Sequence, residues 1–162
     1  MTPADLRAGD ALLVVDVQND FCPGGALPIP DGDQVVPALN EWMSAATATG
    51  VPVYASRDWH PRGHPSFRDE GGEWPVHCLQ DTPGAAFHSE LRLPEDALVV
   101  TKGTRFDQDQ YSAFDQTGLH ARLQRDGIGR ILAGGLAQDV CVCASVLDAR
   151  KLGYDVALIP VV

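Results

Sequence analysis

Five short apolar runs alternate with amphipathic segments along the chain. Their β-branched, nearly continuous character is typical of strands that are buried on both faces of a parallel sheet. The runs that we interpret as strands are residues 11–17, 51–56, 97–101, 130–135 and 155–162. The segments that we interpret as helices are residues 33–50, 119–127 and 139–153. Strands that alternate with helices predict an α/β fold, a three-layer sandwich with a mostly parallel central sheet.

Residues 58–94 interrupt this alternation with a long stretch rich in Pro, Gly, His and Trp. A loop of that length inside a compact domain is usually functional. The chain shows no linker or repeat, so we expect residues 1–162 to form a single domain. Its last strand reaches the end of the sequence with no helix after it, and we therefore expect the domain to be truncated at its C-terminus.

The chain carries a formal net charge of −10, which argues against nucleic acid or an anionic membrane surface as a partner. No apolar run is long enough to span a bilayer, and the N-terminus lacks the pattern of a signal peptide. We therefore expect a cytoplasmic protein. In that reducing compartment its four cysteines are expected to be free thiols, ligands or catalysts.

Reactive side chains collect where the predicted strands end. Asp16, Asp58 and Lys102 lie at or just after the ends of the first three strands, and Cys141 follows the fourth. In an open parallel sheet ligands bind at this edge, so a shared site is expected. Taken singly, Asp16 could be a proton acceptor, with a pKa raised by poor solvation, or it could be a capping aspartate bonded to backbone amides. Lys102 could stabilise a neighbouring anion, or it could be an ordinary lysine that faces solvent.

Two cysteines share the last predicted helix, but they differ in position. Cys141 lies two residues after Asp139, the predicted N-cap, where free backbone amides and the helix dipole favour a thiolate. Cys143 is about 200° further round the helix. We therefore predict Cys141 as a nucleophile and Cys143 as a small apolar residue in the helix–sheet interface.

The stretch "RDWHPRGHPSF" predicts a metal site. Asp58 and His60 alternate in extended chain and so point the same way, and a turn at Pro61–Gly63 brings His64 back beside them. One carboxylate and two imidazoles suit Zn²⁺, Fe²⁺ or Mn²⁺, with His77 as a candidate fourth ligand. The alternative is that these are ordinary loop histidines with polar or aromatic partners.

Five motifs in this order resemble those of the nicotinamidases, members of the isochorismatase-like hydrolase superfamily. They are "VVDVQNDFCPGGAL", "RDWHPRGHPSF", "WPVHC", "VVTKG" and "GGLAQDVCV", and the similarity covers essentially the whole chain. The resemblance implies a catalytic triad of Asp16, Lys102 and Cys141. It also implies one divalent metal ion held by Asp58, His60, His64 and the candidate His77.

The same resemblance assigns further residues. It implies an oxyanion hole made by the backbone amides of Ala137 and Cys141, with a cis peptide before Ala137. It implies substrate contacts from Phe21, Trp74 and the less securely matched Tyr111. The resemblance also implies another helix and strand after Val162, and their absence from the sequence is why we expect a truncated domain.

The activity that the resemblance implies is hydrolysis of nicotinamide to nicotinate and ammonia through a thioester, with pyrazinamide as a further substrate, in NAD salvage. Two alternatives stay open: another small-amide hydrolase of the superfamily, or a non-catalytic metal-binding protein of this fold. A redox pair of Cys141 and Cys143 is disfavoured because their side chains diverge. The implied partner is the small amide, and the chain is compatible with a homo-oligomer.

Overall fold

The central sheet consists of five parallel strands in a computed structural model that describes residues 1–160. The strands are β1 (Asp10–Val15), β2 (Val53–Asp58), β3 (Leu98–Lys102), β4 (Arg130–Gly135) and β5 (Asp155–Leu158). Their order across the sheet is β3-β2-β1-β4-β5. All five predicted strands are therefore confirmed. The end of the last predicted run, residues 161–162, lies outside the described residues.

Three α-helices cover the two faces of the sheet, and they are α1 (Val35–Thr49), α2 (Leu119–Arg125) and α3 (Cys143–Lys151). Side chains along β1 alternate between the faces, as the pleat of a strand requires. Leu12 packs with Leu39 of α1, whereas Leu13 packs with Leu119 of α2 and Ala149 of α3. The helices thus form two outer layers around the sheet, and the predicted α/β sandwich is confirmed.

The segment before α3 differs from the prediction. A π-helical turn spans Gln138–Val142, and the residue that begins it, Ala137, has a left-handed backbone with φ of +56°. Asp139 therefore lies inside this turn, and its predicted N-cap role is wrong. The wider turn changes the phase of the helix: Val142 and Ser145 take the inward positions. Cys143 is exposed, so its predicted burial in the helix–sheet interface is also wrong.

Every peptide bond in residues 1–160 is trans, so the cis peptide expected before Ala137 is not found. The turn instead depends on Gly135, which has a φ of +148°. A Cβ atom at this position would lie 2.1 Å from the carbonyl oxygen of Val15. Only glycine allows β4 to approach β1 this closely before the chain turns away.

Because the strands are parallel, their carboxyl ends lie at one edge of the sheet. β1 lies between β2 and β4: from β1 the chain runs outward through β2 and β3 on one side, and it then crosses to β4 and β5 on the other. In open α/β sheets the crevice for ligands opens at such a switch point. The residues after β1, β2, β3 and β4 therefore face a common cleft. Within residues 1–160, no helix has the length and apolar character needed to cross a membrane.

Candidate active site and metal centre

A buried lysine joins the ends of three strands and the turn after β4. Lys102 Nζ lies 2.7 Å from Asp16 Oδ2, 2.7 Å from Asp58 Oδ1 and 3.6 Å from Cys141 Sγ. The exposed fraction of each of these residues is 5% or less. We call Asp16, Lys102 and Cys141 the lysine cluster. The structure thus brings together the three side chains that the sequence predicted to meet.

Burial and mutual charge set the protonation of the lysine cluster. Burial opposes the charge of Lys102, but the carboxylates of Asp16 and Asp58 raise its pKa well above the usual range, so it is an ammonium. Burial raises the pKa of Asp16, as the sequence predicted, although Lys102 acts in the opposite direction. Asp16 is therefore a better proton acceptor than an exposed aspartate.

Cys141 is a thiol at rest rather than the thiolate that its helix position suggested. Burial raises the pKa of Cys141 well above the usual range, and the field of Lys102 only partly offsets this. The Asp16 carboxylate, one of whose oxygens lies within 4.8 Å of the sulfur, raises this pKa further. The sulfur therefore gives up its proton only when a neighbouring base accepts it, and Asp16 is in position to do so.

Local backbone structure fixes the Asp16 carboxylate. Asp16 has a left-handed backbone with φ of +52°, a conformation that costs free energy for a residue other than glycine. Ser56, at the end of β2, donates a hydrogen bond of 2.7 Å to Asp16 Oδ1. With Lys102 at the other oxygen, both carboxylate oxygens are held by the protein.

Asp58 stands between the lysine cluster and three histidines. Its Oδ1 is bound to Lys102, whereas its Oδ2 lies 3.9 Å from His60 Nε2. The buried amide of Gln18 holds the Asp58 backbone at both ends: Nε2 donates to the Asp58 carbonyl at 2.7 Å, and Oε1 accepts the Asp58 N–H at 2.9 Å. Gln18 was not among the predicted site residues, although a side-chain amide within an apolar stretch was a signal.

His60, His64 and His77, which we call the histidine cluster, pack ring against ring. The ring centroid of His60 lies 4.3 Å from that of His64 and 4.7 Å from that of His77. The predicted turn therefore does return His64 to His60. The Nδ1 atoms of His60 and His77 donate to the carbonyls of His77 and Pro75, at 2.9 and 2.7 Å. His64 Nδ1 is held by Ser66 Oγ at 2.7 Å.

This arrangement leaves the Nε2 atoms for another partner. Among residues 1–160, His60 Nε2 and His64 Nε2 are buried and have no hydrogen-bond partner. Burial lowers the pKa of each ring to about 4, so both are neutral at neutral pH. Neutral imidazoles whose Nδ1 is held by an oxygen are the form that binds metal ions. A buried Nε2 atom without a partner costs folding free energy, and a bound cation would supply that partner. This set of donor atoms therefore fits a divalent cation.

The candidate ligand atoms form two groups that share His60. Atoms of Asp58, His60 and His77 lie within 4.8 Å of one another, and so do atoms of His60, His64 and Asp109. His77 therefore lies with the predicted ligands Asp58 and His60, while His64 is grouped with His60 and Asp109. Asp109 was not predicted. It lies in an irregular loop after β3, and the sequence carried no signal of where that loop runs.

A third group of potential ligands, Asp16, Asp58 and Cys141, has the same spacing. The ammonium of Lys102 contacts all three of its members. A cation already present in the protein thus satisfies this group, and a metal ion has no place there.

A cavity of about 170 Å³ opens between the two clusters and solvent. Its apolar wall includes Phe21, Trp74 and Tyr111, the residues expected to contact substrate, and Trp74 Nε1 donates to the Tyr111 hydroxyl at 3.2 Å. Cys141 and Ala137 line its inner end. A cavity of about 150 Å³ accommodates a single benzene-sized ring. The volume and apolar lining therefore suit one small aromatic ring.

Comparison with known proteins agrees with this geometry. The Isochorismatase domain matches residues 10–160 of the chain. The chain belongs to the isochorismatase family. The nicotinamidase of Escherichia coli K12 is 39% identical to this chain over 170 residues, and the match covers 92% of this chain and 80% of that relative.

Two solved structures of the family are similar to this chain throughout. The pyrazinamidase of Pyrococcus horikoshii, solved in complex with zinc, has a TM-score of 0.90 and 47% identity, covering 93% of this chain and 83% of that one. PnC1 of L. infantum, solved in complex with nicotinate, has a TM-score of 0.82 and 36% identity, and the match covers 92% of this chain and 77% of that one.

Proposed function

We propose that this protein is a metal-containing cysteine amidohydrolase that converts nicotinamide and water to nicotinate and ammonia. The observation that carries the proposal is the buried lysine cluster at the inner end of a cavity sized for one aromatic ring. The similarity to a nicotinamidase and to a pyrazinamidase supports the same substrate class. Pyrazinamide, which differs from nicotinamide by one ring nitrogen, is the second expected substrate.

The first half of the reaction forms a thioester. Asp16 accepts the thiol proton of Cys141, and the sulfur attacks the carboxamide carbon. Lys102, 3.6 Å from the sulfur, stabilises the developing thiolate and keeps both carboxylates in place. The C–N bond then breaks, Asp16 returns the proton to the departing nitrogen, and ammonia leaves.

The second half regenerates the enzyme. Asp16, again a carboxylate, takes a proton from a water molecule as that water attacks the thioester carbon. The C–S bond breaks, Asp16 returns its proton to Cys141, and the product acid leaves the site and releases its remaining proton to solvent as nicotinate. In both tetrahedral intermediates we assign the oxyanion to the backbone amides of Ala137 and Cys141. Loss of one donor of this kind typically costs about 3–4 kcal/mol of barrier.

The histidine cluster and Asp58 would hold the metal ion, and a divalent cation bound there supplies a Lewis-acid contact for the ring nitrogen of the substrate. Imidazole and carboxylate donors are compatible with Zn²⁺, Fe²⁺ or Mn²⁺. Phe21 and Trp74 would enclose the ring and exclude bulk water. The cytoplasmic location, the role in NAD salvage and the homo-oligomer stay predictions.

Turnover of three related amides tests the proposal. The purified, metal-loaded chain is incubated with nicotinamide, pyrazinamide and benzamide, and ammonia and the carboxylic acid are quantified. We expect equal amounts of nicotinate and ammonia, comparable turnover of pyrazinamide, and much slower turnover of benzamide, because benzamide has no ring nitrogen. A folded, metal-loaded chain that releases no ammonia from nicotinamide would show that the proposed reaction is wrong.

A further inference from the structure

The carboxylate of Asp109 lies beside the histidine cluster but has no part in the mechanism described above. One of its oxygens and ring nitrogens of His60 and His64 lie within 4.8 Å of one another. Asp109 also lines the cavity. It thus lies beside two histidines whose buried Nε2 atoms have no hydrogen-bond partner in the described residues.

Asp109 is held in place by its neighbour in the chain. Its Oδ1 accepts the backbone N–H of Gln110 at 2.9 Å, which leaves Oδ2 outside that bond. Gln110 is itself buried: its Oε1 accepts the Gly103 N–H at 3.0 Å, and its Nε2 donates to the Asp115 carbonyl at 2.6 Å. The carboxylate is therefore anchored to the end of β3 rather than carried on a free loop.

Charge balance gives this carboxylate a role. An imidazole binds a metal ion as the neutral ring, so histidine ligands bring no negative charge. Asp58 shares its negative charge with Lys102, 2.7 Å away. Lys102 in turn is balanced by Asp16 at the same distance. A divalent cation among these groups would still carry excess positive charge, and the side chains of Asp58, His60, His64 and His77 around it are buried. A second carboxylate beside His60 and His64 removes that excess.

We propose that Asp109 is a further carboxylate donor to the metal centre. It belongs to the group of candidate ligands that contains His60 and His64, whereas Asp58 and His77 form the second group around His60. Asp109 is thus a metal-binding residue, and its contribution is to the affinity for the ion and to its coordination. This inference rests on the metal centre of the proposed function but not on the identity of the substrate.

The affinity for Zn²⁺, measured without any amide present, tests this role. Metal-free wild type and variants compete with a chromophoric chelator for the ion. Asp109→Asn has the same shape and keeps an acceptor for the Gln110 N–H, so we expect it to fold. We expect its affinity to fall by about 10- to 100-fold, as for other residues that support a metal site. Asp107→Asn is the matched control: Asp107 is 67% exposed, pairs with Arg105 and is expected to stay within twofold of wild type.

Two further variants make each outcome decisive. Asp58→Asn should lose affinity, and Asp109→Glu, which restores the charge, should bind better than Asp109→Asn. The visible spectrum of bound Co²⁺, which reports coordination, should change in Asp109→Asn. Wild-type affinity and an unchanged spectrum in Asp109→Asn, with a loss in Asp58→Asn, would overturn the role of Asp109. A wild-type chain that binds no divalent ion would instead overturn the metal centre itself.

Discussion

The lysine cluster and the histidine cluster share one cleft, yet they differ in how their polar atoms are satisfied. The Lys102 ammonium contacts two carboxylates and one thiol of the protein. Around His60, buried Nε2 atoms have no partner in the described residues. The charges of the first cluster are paired within the protein, whereas the second cluster leaves imidazole nitrogens free to bind a cation. We infer that bond cleavage belongs to the first cluster and substrate orientation to the second.

The two clusters also differ in charge. Burial raises the pKa of Asp16, but Lys102 retains its charge because two carboxylates surround it. Burial lowers the pKa values of His60 and His64, and the field of Asp109 only partly offsets this. Asp58 is the link, with one oxygen toward each cluster. Substitutions on either side should therefore separate chemistry from metal binding.

Cys141→Ala should have the largest effect. We expect turnover of nicotinamide to fall by roughly 10⁴-fold or more, because the alanine provides no nucleophile. Zn²⁺ affinity should stay within about threefold, since the sulfur is not a ligand in the proposed site. Steady-state ammonia release and chelator competition measure the two quantities.

Cys143→Ala is the matched control for that prediction. Cys143 is exposed and lies outside the cavity lining, so this variant should keep turnover within about twofold of wild type. An equal loss of turnover in both variants would refute Cys141 as the sole nucleophile.

His60→Gln should have the next largest effect and should act on the other cluster. His60 belongs to both groups of candidate ligands, so we expect Zn²⁺ affinity to fall by about 100-fold or more. Alkylation of Cys141 by iodoacetamide in the metal-free protein should proceed at nearly the wild-type rate, because the lysine cluster is unchanged. A large change in that rate at unchanged metal affinity would contradict the division between the clusters.

Gly103→Ala should weaken the metal site more moderately. A Cβ atom at Gly103 would lie 2.7 Å from His60 Cδ2 and 2.8 Å from His60 Nε2, so the ring must shift. We expect about a tenfold loss of Zn²⁺ affinity and a loss of stability of about 1 kcal/mol or more, because φ is +74°.

Gly127→Ala controls for the backbone term in that prediction. Gly127 has a φ of +73°, but a Cβ atom there would meet nothing within 4 Å. The free energy of unfolding that Gly127→Ala loses, measured with urea, should equal the part of the Gly103→Ala loss that comes from placing alanine at a positive φ. The metal affinity of Gly127→Ala should be unchanged. Equal metal affinities in the two variants would show that the contact with His60 has no consequence.

The pH dependence of stability should show the smallest effect. His60 and His64 have pKa values of about 4 in the folded protein and about 6.5 when unfolded, so the unfolded chain binds more protons between these values. The stability contribution is fully present above pH 6.5 and is lost as the pH falls toward 4. The melting temperature of the metal-free protein should therefore drop between about pH 7.5 and about pH 5.

A variant that combines His60→Gln with His64→Gln should show a smaller drop in melting temperature than the wild type over the same pH interval. If its drop equals that of the wild type, the acid sensitivity comes from other groups, and the proposed protonation of the histidine cluster is wrong.

The sequence was sufficient to predict the parts of the site that depend on regular structure. Apolar runs predicted five parallel strands, and their carboxyl ends then placed Asp16, Asp58, Lys102 and Cys141 at one edge. The pairing of His60 with His64 followed from extended backbone and a Pro–Gly turn. These predictions hold because strand periodicity and sheet topology are dictated by burial alone.

Features that depend on irregular backbone were not predictable. The π-helical turn after Ala137 moved Cys143 to the surface, and no sequence pattern distinguishes it from the start of an α-helix. The position of Asp109 depends on how Gln110 hydrogen-bonds to Gly103 and Asp115. The pKa of Cys141 could not be inferred from its helix position either, because burial outweighs the fields that favour a thiolate.

The position of the metal ion tests the division between the clusters most directly. Crystals of the Zn²⁺-loaded protein, measured at the zinc absorption edge, give an anomalous difference peak at the ion. The account predicts a peak bonded to His60 Nε2 and Asp58, with Lys102 still in contact with Asp16 and Cys141. A peak bonded to Cys141 Sγ, with Lys102 displaced from the carboxylates, would contradict it.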